Sequence, residues 1–422
     1  MLNRSLTPFV ALALVGPAAA QALYVPHTSQ NGGRHLAAFD PFDGHLLSAS
    51  VIDFDISGVT NRPVQAAQIN GDWWITDSVT ESVHVFAAHG VEYSREELLG
   101  NGDILGSAAA LGSTWFCAQG PPFVPGTLLE VTTSGTSIHT LTVDSPVGVG
   151  TFNGELIVTH GGGALRFDPV GRTVIGDFYS TITQQGMQQP IVRPSTGGLL
   201  IARQAGHQDI VEFDAGGGIL AEFDIGPALG LSLPFACMEL GNGDLFLSTD
   251  SGAFVIDPAL TRSTPVLEGV RCRYITLGPS LLIGANYCGP SVVNSTGRSA
   301  TIAASGSSVA ADQAVHLSVH GLPHFSSGYF ITSQTQGSVV HPGGSSGNLC
   351  LGGAIGRHLN QVQNSSSVDF FEITVDASAV PQPAGALPIL AGETWNWQAW
   401  YRDSIGGQAT SNFTDAVSVP FS

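Results

Sequence analysis

The feature that most constrains this chain is a repeat with a period in the forties. Short apolar runs alternate with Gly, Asn and Asp from Leu23 to about Ala285, and none sustains a helical period over ten residues. That texture means many short strands. The third run of each unit ends in AFDP (38–41), VFAA (85–88), EVTT (130–133), RFDP (166–169), EFDA (212–215) or VIDP (255–258), at spacings of 36 to 47 residues. The second runs read ALYVPHT (22–28), GDWWITDS (71–78), GSTWFCAQ (112–119), GELIVTHG (154–161), GGLLIARQ (197–204), GDLFLSTD (243–250) and PSLLIGAN (279–286). Four short strands per unit at this period predict the blades of a β-propeller.

The first runs, PVQAAQI, GSAAALG, PVGVGTF and PFACMEL, are rich in Ala, Gly and Cys. Strands nearest a common axis have no room for large side chains. The first unit lacks such a run, whereas RCRYITLG (271–278) is one at the far end. If it completes the first blade, the two ends close a ring of six blades and PSLLIGAN is a surplus strand. Seven blades, the last incomplete, is the alternative.

This register also places THGGGALRF (159–167). His followed by three glycines is how many esterases build an oxyanion hole. Here it falls between the second and third strands of the fourth blade, where glycines supply positive φ for a tight reversal. GGSSG (343–347), the one G-x-S-x-G of the chain, lies in a Gly-rich loop. It is not a strand-to-helix elbow.

Residues 1–22 carry Arg4, an apolar run from Leu6 to Val15 and the small residues Ala18, Ala19, Ala20 and Ala22. They read as a secretory signal peptide, which predicts a secreted or cell-surface protein. No other apolar stretch approaches the roughly 18 residues a membrane span needs. All 14 basic residues are Arg, against 33 acidic residues and a net charge of −19. Without Lys, a pyridoxal phosphate Schiff base and a P-loop are excluded. The negative charge disfavours nucleic acid as a partner.

From Asn286 the blade period stops. A stretch rich in Ser, Asn, Gly and Pro leads into alternating runs such as VHLSVHGL, GYFITSQ, DFFEITVD, TWNWQAWYRD and DAVSVPF. They predict a β-sandwich, with the signal peptide at 1–22, the propeller at 23–285 and a second domain at 286–422. His316, His320 and His324, four residues apart, suit a strand, whose spacing of about 13 Å is too wide for one metal. Surface histidines are expected. Trp395, Trp397 and Trp400 could stack on sugars, but a strand buried on both faces accounts for them by core packing.

The motifs NYCGP, NSTG, GYFITSQTQG, NLCLGGAIGR, AGETWNWQAWYRD and TSNFTDAVSV, spanning 286–422, resemble a C-terminal module of large exported bacterial proteins, often found behind β-propellers. The resemblance implies a sorting, anchoring or adhesion element and supplies no catalytic residue. The histidines of VHLSVHGLPH depart from it. Cys288 and Cys350 both fall in this module and are expected to form a disulfide, while Cys117, Cys237 and Cys272 sit in propeller strands.

The second strands end at equivalent positions in six blades: His27, Asp77, Gln119, His160, Arg203 and Thr249. Converging over the channel mouth, they would form a site for a polar or anionic ligand, and His27, Asp77 and His160 would be the metal ligands if one is bound. The bland reading is that strand ends are polar because they meet water. The inner runs offer Gln65, Gln68, Arg193, Glu239, Arg271 and Arg273, thin in the acids a catalytic metal wants. The favoured function is therefore a non-catalytic binding or structural protein, monomeric, with an extracellular or cell-surface partner such as a glycan or protein. A metal-dependent propeller hydrolase or lyase of the lactonase kind is the alternative.

Overall fold

The computed structural model describes residues 21–422 apart from 30–32, 55–61, 87–91, 98–101, 121–124, 133–136, 182–185, 205–208, 281 and 366–369. The segment read as a signal peptide lies outside the described residues, except Gln21 and Ala22, which begin the first strand. Each repeat unit forms its own antiparallel sheet, and six such sheets make the propeller. Blade two runs Pro63–Ile69, Asp72–Asp77, Ser82–Phe86 and Glu92–Glu97 from the axis outward. Blades three to six repeat that order, their inner strands being Asp103–Ala110, Pro146–Phe152, Met187–Arg193 and Pro234–Glu239.

Blade one is assembled from both ends of the repeat region. Gln21–Ser29, Arg34–Phe39 and Leu46–Asp53 are its outer strands, and Val270–Cys272 with Thr276–Pro279 pairs along Gln21–Ser29 to supply the inner edge. The run RCRYITLG therefore closes a six-bladed ring. PSLLIGAN does not make a surplus strand: Pro279 ends the inner edge of blade one, whereas Ala285–Tyr287 pairs with the final strand of the chain. Closure back onto the first blade is what a ring requires, since an open sheet edge beside the last blade would leave backbone donors and acceptors unpaired.

Small residues on the inner strands answer a close approach between blades. A Cβ on Gly148 would lie 2.7 Å from the Gln188 carbonyl oxygen, and one on Gly150 would lie 2.4 Å from that of Pro190. Bulk is displaced outward, where Trp73, Phe86, Trp115, Phe167 and Phe213 fill the layers between sheets. Side-chain hydrogen bonds stitch neighbouring inner strands. The hydroxyls of Thr76 and Thr159 donate to the carbonyls of Leu105 (2.7 Å) and Gln188 (2.8 Å) in the next blade, and the Gln65 side-chain carbonyl accepts from the Ser107 N–H at 2.6 Å. Gln189 of blade five reaches past blade six to blade one, exchanging two bonds with the backbone of Ile275, both 2.8 Å.

The C-terminal region packs a six-stranded sheet, including Thr394–Ile405 and Gln408–Pro420, against a three-stranded one of Thr301–Gly306, Val315–His320 and Phe371–Val375. Trp395 and Trp397 lie stacked and fully buried between them, with Ile302, Leu317, Val319 and Phe371. Trp400, on the opposite face, packs on Tyr329 with ring centroids 5.0 Å apart. Cys288 and Cys350 form a disulfide, while Cys117, Cys237 and Cys272 are free thiols buried in the propeller. Among the described residues no helix is long and apolar enough to cross a membrane.

His316 and His320 lie on the strand Val315–His320, as the alternation predicts, whereas His324 lies past its end in an exposed turn, and the run is not a surface feature throughout. His320 is buried against blade one, where its Nε2 and the hydroxyl of Ser318 both donate to the Leu47 carbonyl, at 3.0 and 2.5 Å. Ser48 beside it donates to Glu372 at 3.3 Å. Alternation assigned these side chains to one face of their strand, and the sheet of blade one covers that face.

Candidate functional site

The face of the ring that carries the turns from second to third strands is the face on which the sequence places a site. The hairpins of blades four and six are tight. His160 pairs with Gly163 and Thr249 with Gly252, so Gly161–Gly162 and Asp250–Ser251 are the turn residues. Positive φ falls on the glycine that follows the turn, +152° at Gly163 and +153° at Gly252, where a Cβ would meet the Tyr179 or Leu267 carbonyl oxygen within 2.2 Å. The THGGG motif is a hairpin in which Gly163, rather than the turn glycines before it, needs to be glycine.

The residues at the second-strand ends are engaged within their own blades. The Asp77 carboxylate is buried and accepts from the backbone N–H groups of Arg62 (2.8 Å), Val79 (2.8 Å) and Thr80 (2.9 Å), capping its turn. The His160 Nδ1 accepts from the Gly162 N–H at 3.3 Å, and burial lowers the imidazole pKa against the opposing pull of Asp144 and Asp177. Arg203 is buried in ion pairs with Asp209, its partner in register, and with Glu222. Thr249 donates to the Gly252 carbonyl at 2.9 Å. His27 is buried with Nε2 donating to the Ala49 carbonyl at 2.8 Å, and burial lowers its pKa to about 4. Gln119 pairs in register with Asp103 at the entry to blade three.

The structure therefore places these residues at corresponding strand ends and engages them within their own blades. His27, Asp77 and His160 do not have their ligand atoms within 4.8 Å of one another; among the described residues, Asp40, Asp43 and His45 form the one group of three that does. That group is the turn between the second outer pair of strands in blade one, where Asp40 caps the Phe42 N–H at 2.7 Å and His45 Nδ1 meets Asp43 at 2.6 Å.

What does converge on the axis is a plug, one residue per blade. Tyr274, Val64, Leu105, Val147 and Phe235 pack together from blades one, two, three, four and six. Blade five contributes Gln188, whose side-chain carbonyl accepts from the Tyr274 hydroxyl at 3.1 Å. Four of the six follow directly on the first residue of their inner strand, the signal a sequence reading could have used: PV, PV, MQ and PF. Above the plug, Arg273 extends over the Phe235 ring, its guanidinium carbon 4.3 Å from the centroid. Arg271 is ion-paired with Asp250 of the blade-six turn, which fixes this as the same face. Burial lowers the Arg273 pKa to about 10, repulsion by Arg271 and Arg62 adds to it, and attraction from Tyr274 and Asp250 opposes it. A floored mouth with the guanidinium of Arg273 above it, in a strongly acidic chain, is the site this geometry builds.

No protein-family profile matches the chain, and no curated protein sequence matches it. Among solved structures it is similar to a chain of a nidogen/laminin complex, at 13% identity over 61% of this chain and 98% of that one, TM-score 0.48. It is also similar to a catalytically inactive virginiamycin B lyase from Staphylococcus aureus with quinupristin, at 14% identity over 60% and 86% of the two chains, TM-score 0.42. A streptogramin B lyase matches at 10% identity over 93% and 98%, TM-score 0.39. Identities this low carry no activity to this chain.

Proposed function

We propose that this is an exported, non-catalytic binding protein. Its propeller serves as a ligand- or partner-presenting platform, and its C-terminal domain, of the type found on exported bacterial proteins, serves for sorting, anchoring or adhesion. The observation that carries the reading is the axial plug. It floors the channel, while the imidazole, carboxylate and guanidinium groups of His160, Asp77 and Arg203 at the second-strand ends are already committed to turns and ion pairs in their own blades. Acid–base or metal chemistry needs such groups to converge on a reacting atom. A rigid presenting surface does not. The docking of Ser318 and His320 on Leu47 supports a C-terminal domain held in one orientation on blade one.

The test uses the full chain. Hydrogen exchange before and after exposure to a panel of glycans and extracellular proteins is expected to show protection confined to the turns joining second to third strands. Protection elsewhere on the propeller, with none on that face, overturns the platform reading. Turnover of lactones or esters by the metal-loaded protein, abolished by chelation, would establish the hydrolase alternative. Expression with the N-terminal segment intact should deliver protein outside the cytoplasm, with sequencing of the product starting near Gln21 or Leu23.

A further inference from the structure

The guanidinium of Arg273 sits where an ordinary arginine would have a carboxylate, and none of the described residues supplies one. Other arginines of the propeller carry acidic partners: Arg193 with Glu212 and Glu239 and Arg203 with Asp209 and Glu222 where buried, and the exposed Arg172 with Glu130 and Arg271 with Asp250. Among the described residues Arg273 makes no ion pair, and its buried Nε has no hydrogen-bond partner. Its backbone is fixed by an N–H bond to the Pro26 carbonyl at 3.0 Å, and its stem is held against Phe235. A half-buried cation kept beside two further arginines, with 33 acidic residues available in the chain, is a costly arrangement for structure alone.

We propose that the mouth above the plug binds the oxyanion group of a small ligand, a carboxylate or a phosphate, with Arg273 as its principal contact and Arg271 and Arg62 supplying the surrounding positive field. The planar guanidinium offers paired N–H donors that match two oxygens of such a group, and binding would bring the cation the counter-charge that no described residue supplies. Tyr274, Val64 and Phe235 beneath it form an apolar floor that excludes water from one side and strengthens the contact. The assignment rests on the binding reading and names the class of ligand for it.

The full-length protein is titrated calorimetrically at low ionic strength with citrate, reporting a carboxylate ligand, and with inorganic phosphate, reporting a phosphorylated one. Saturable binding of at least one is expected, weakened by about tenfold or more in Arg273→Met and by less in Arg273→Lys, since a charge-assisted hydrogen-bonded pair is worth that much. Melting without ligand separates a site from a structural cation. If Arg273 is held for a ligand, Arg273→Met melts above the wild type and no longer gains from citrate or phosphate. The proposal is overturned if neither anion binds the wild type, or if Arg273→Met binds as the wild type does and melts lower. A neutral glycan that protects the same face while neither anion binds would sink the anion site and leave the platform reading standing.

Discussion

The junction between blade one and the C-terminal domain is expected to respond to pH through Glu372. Burial raises the pKa of its carboxyl to about 7, against the hydrogen bond from Ser48 and with the help of repulsion by Asp53. The free side chain titrates at 4.5. Between those values the folded protein holds a proton that the unfolded chain has released, so this stability is present below pH 4.5 and lost as pH rises through 7. The loss amounts to about 3 kcal/mol at 1.36 kcal/mol per pH unit. His320, across the same junction, works in the opposite direction. Burial lowers its pKa to about 3, so its contribution is present above 6.5 and lost as pH falls. The two trends offset each other between about pH 4.5 and 6.5, and the wild-type profile there conceals both. Glu372→Gln removes one of them. The variant, with a neutral side chain of the same shape, should match the wild type near pH 4 and exceed its stability by about 3 kcal/mol at pH 8. Urea unfolding at the two pH values, followed by the fluorescence of the buried Trp395 and Trp397, gives the difference directly. A gap between variant and wild type that does not change with pH would refute the assignment of a proton to Glu372 in the folded protein.

Replacing Arg193 by Met strands the buried carboxylates of Glu212 and Glu239, and unfolding should show a loss of roughly 3–5 kcal/mol; a loss under about 1 kcal/mol would mean that both acids reach water. Gly163→Ala drives a Cβ into the Tyr179 carbonyl at a positive φ and should cost about 1–3 kcal/mol, whereas Gly154→Ala meets open space and should be milder. If both variants melt alike, the close approach at Gly163 is not real. The Cys288–Cys350 link closes a separation of 62 residues, and its reduction should lower stability by roughly 4 kcal/mol in the chain-entropy model. Recovery of both cysteines alkylated from unreduced native protein would contradict it. Cys117, Cys237 and Cys272 should resist alkylation until unfolding, because burial raises their thiol pKa values, that of Cys237 to about 12; labelling of the native protein would show the ring to be open.

Strand content, the blade register and the closing role of RCRYITLG were all legible along the chain. Each is written in local periodicity, because alternation sets which side of a strand is buried and glycine marks where a Cβ will not fit. The same locality explains what was out of reach. The sequence placed His27, Asp77, Gln119, His160, Arg203 and Thr249 at equivalent strand ends, but register within one blade does not say which way a side chain turns. In the fold those groups found partners a few residues away, such as Asp209 for Arg203 and the Thr80 N–H for Asp77. Arg273 stood in the sequence as one inner-run residue among six. Only closure of the ring, which brings residue 273 beside Val64 and Phe235 with no carboxylate of the described residues opposite it, distinguishes it from Arg193 or Arg271. His320 read as a surface residue because nothing near it in the chain covers it, and the Leu47 carbonyl that accepts its bond lies 273 residues away. Period and alternation decide secondary structure through neighbours in sequence; burial of a charge and the choice of its partner depend on residues the chain brings together only when it folds.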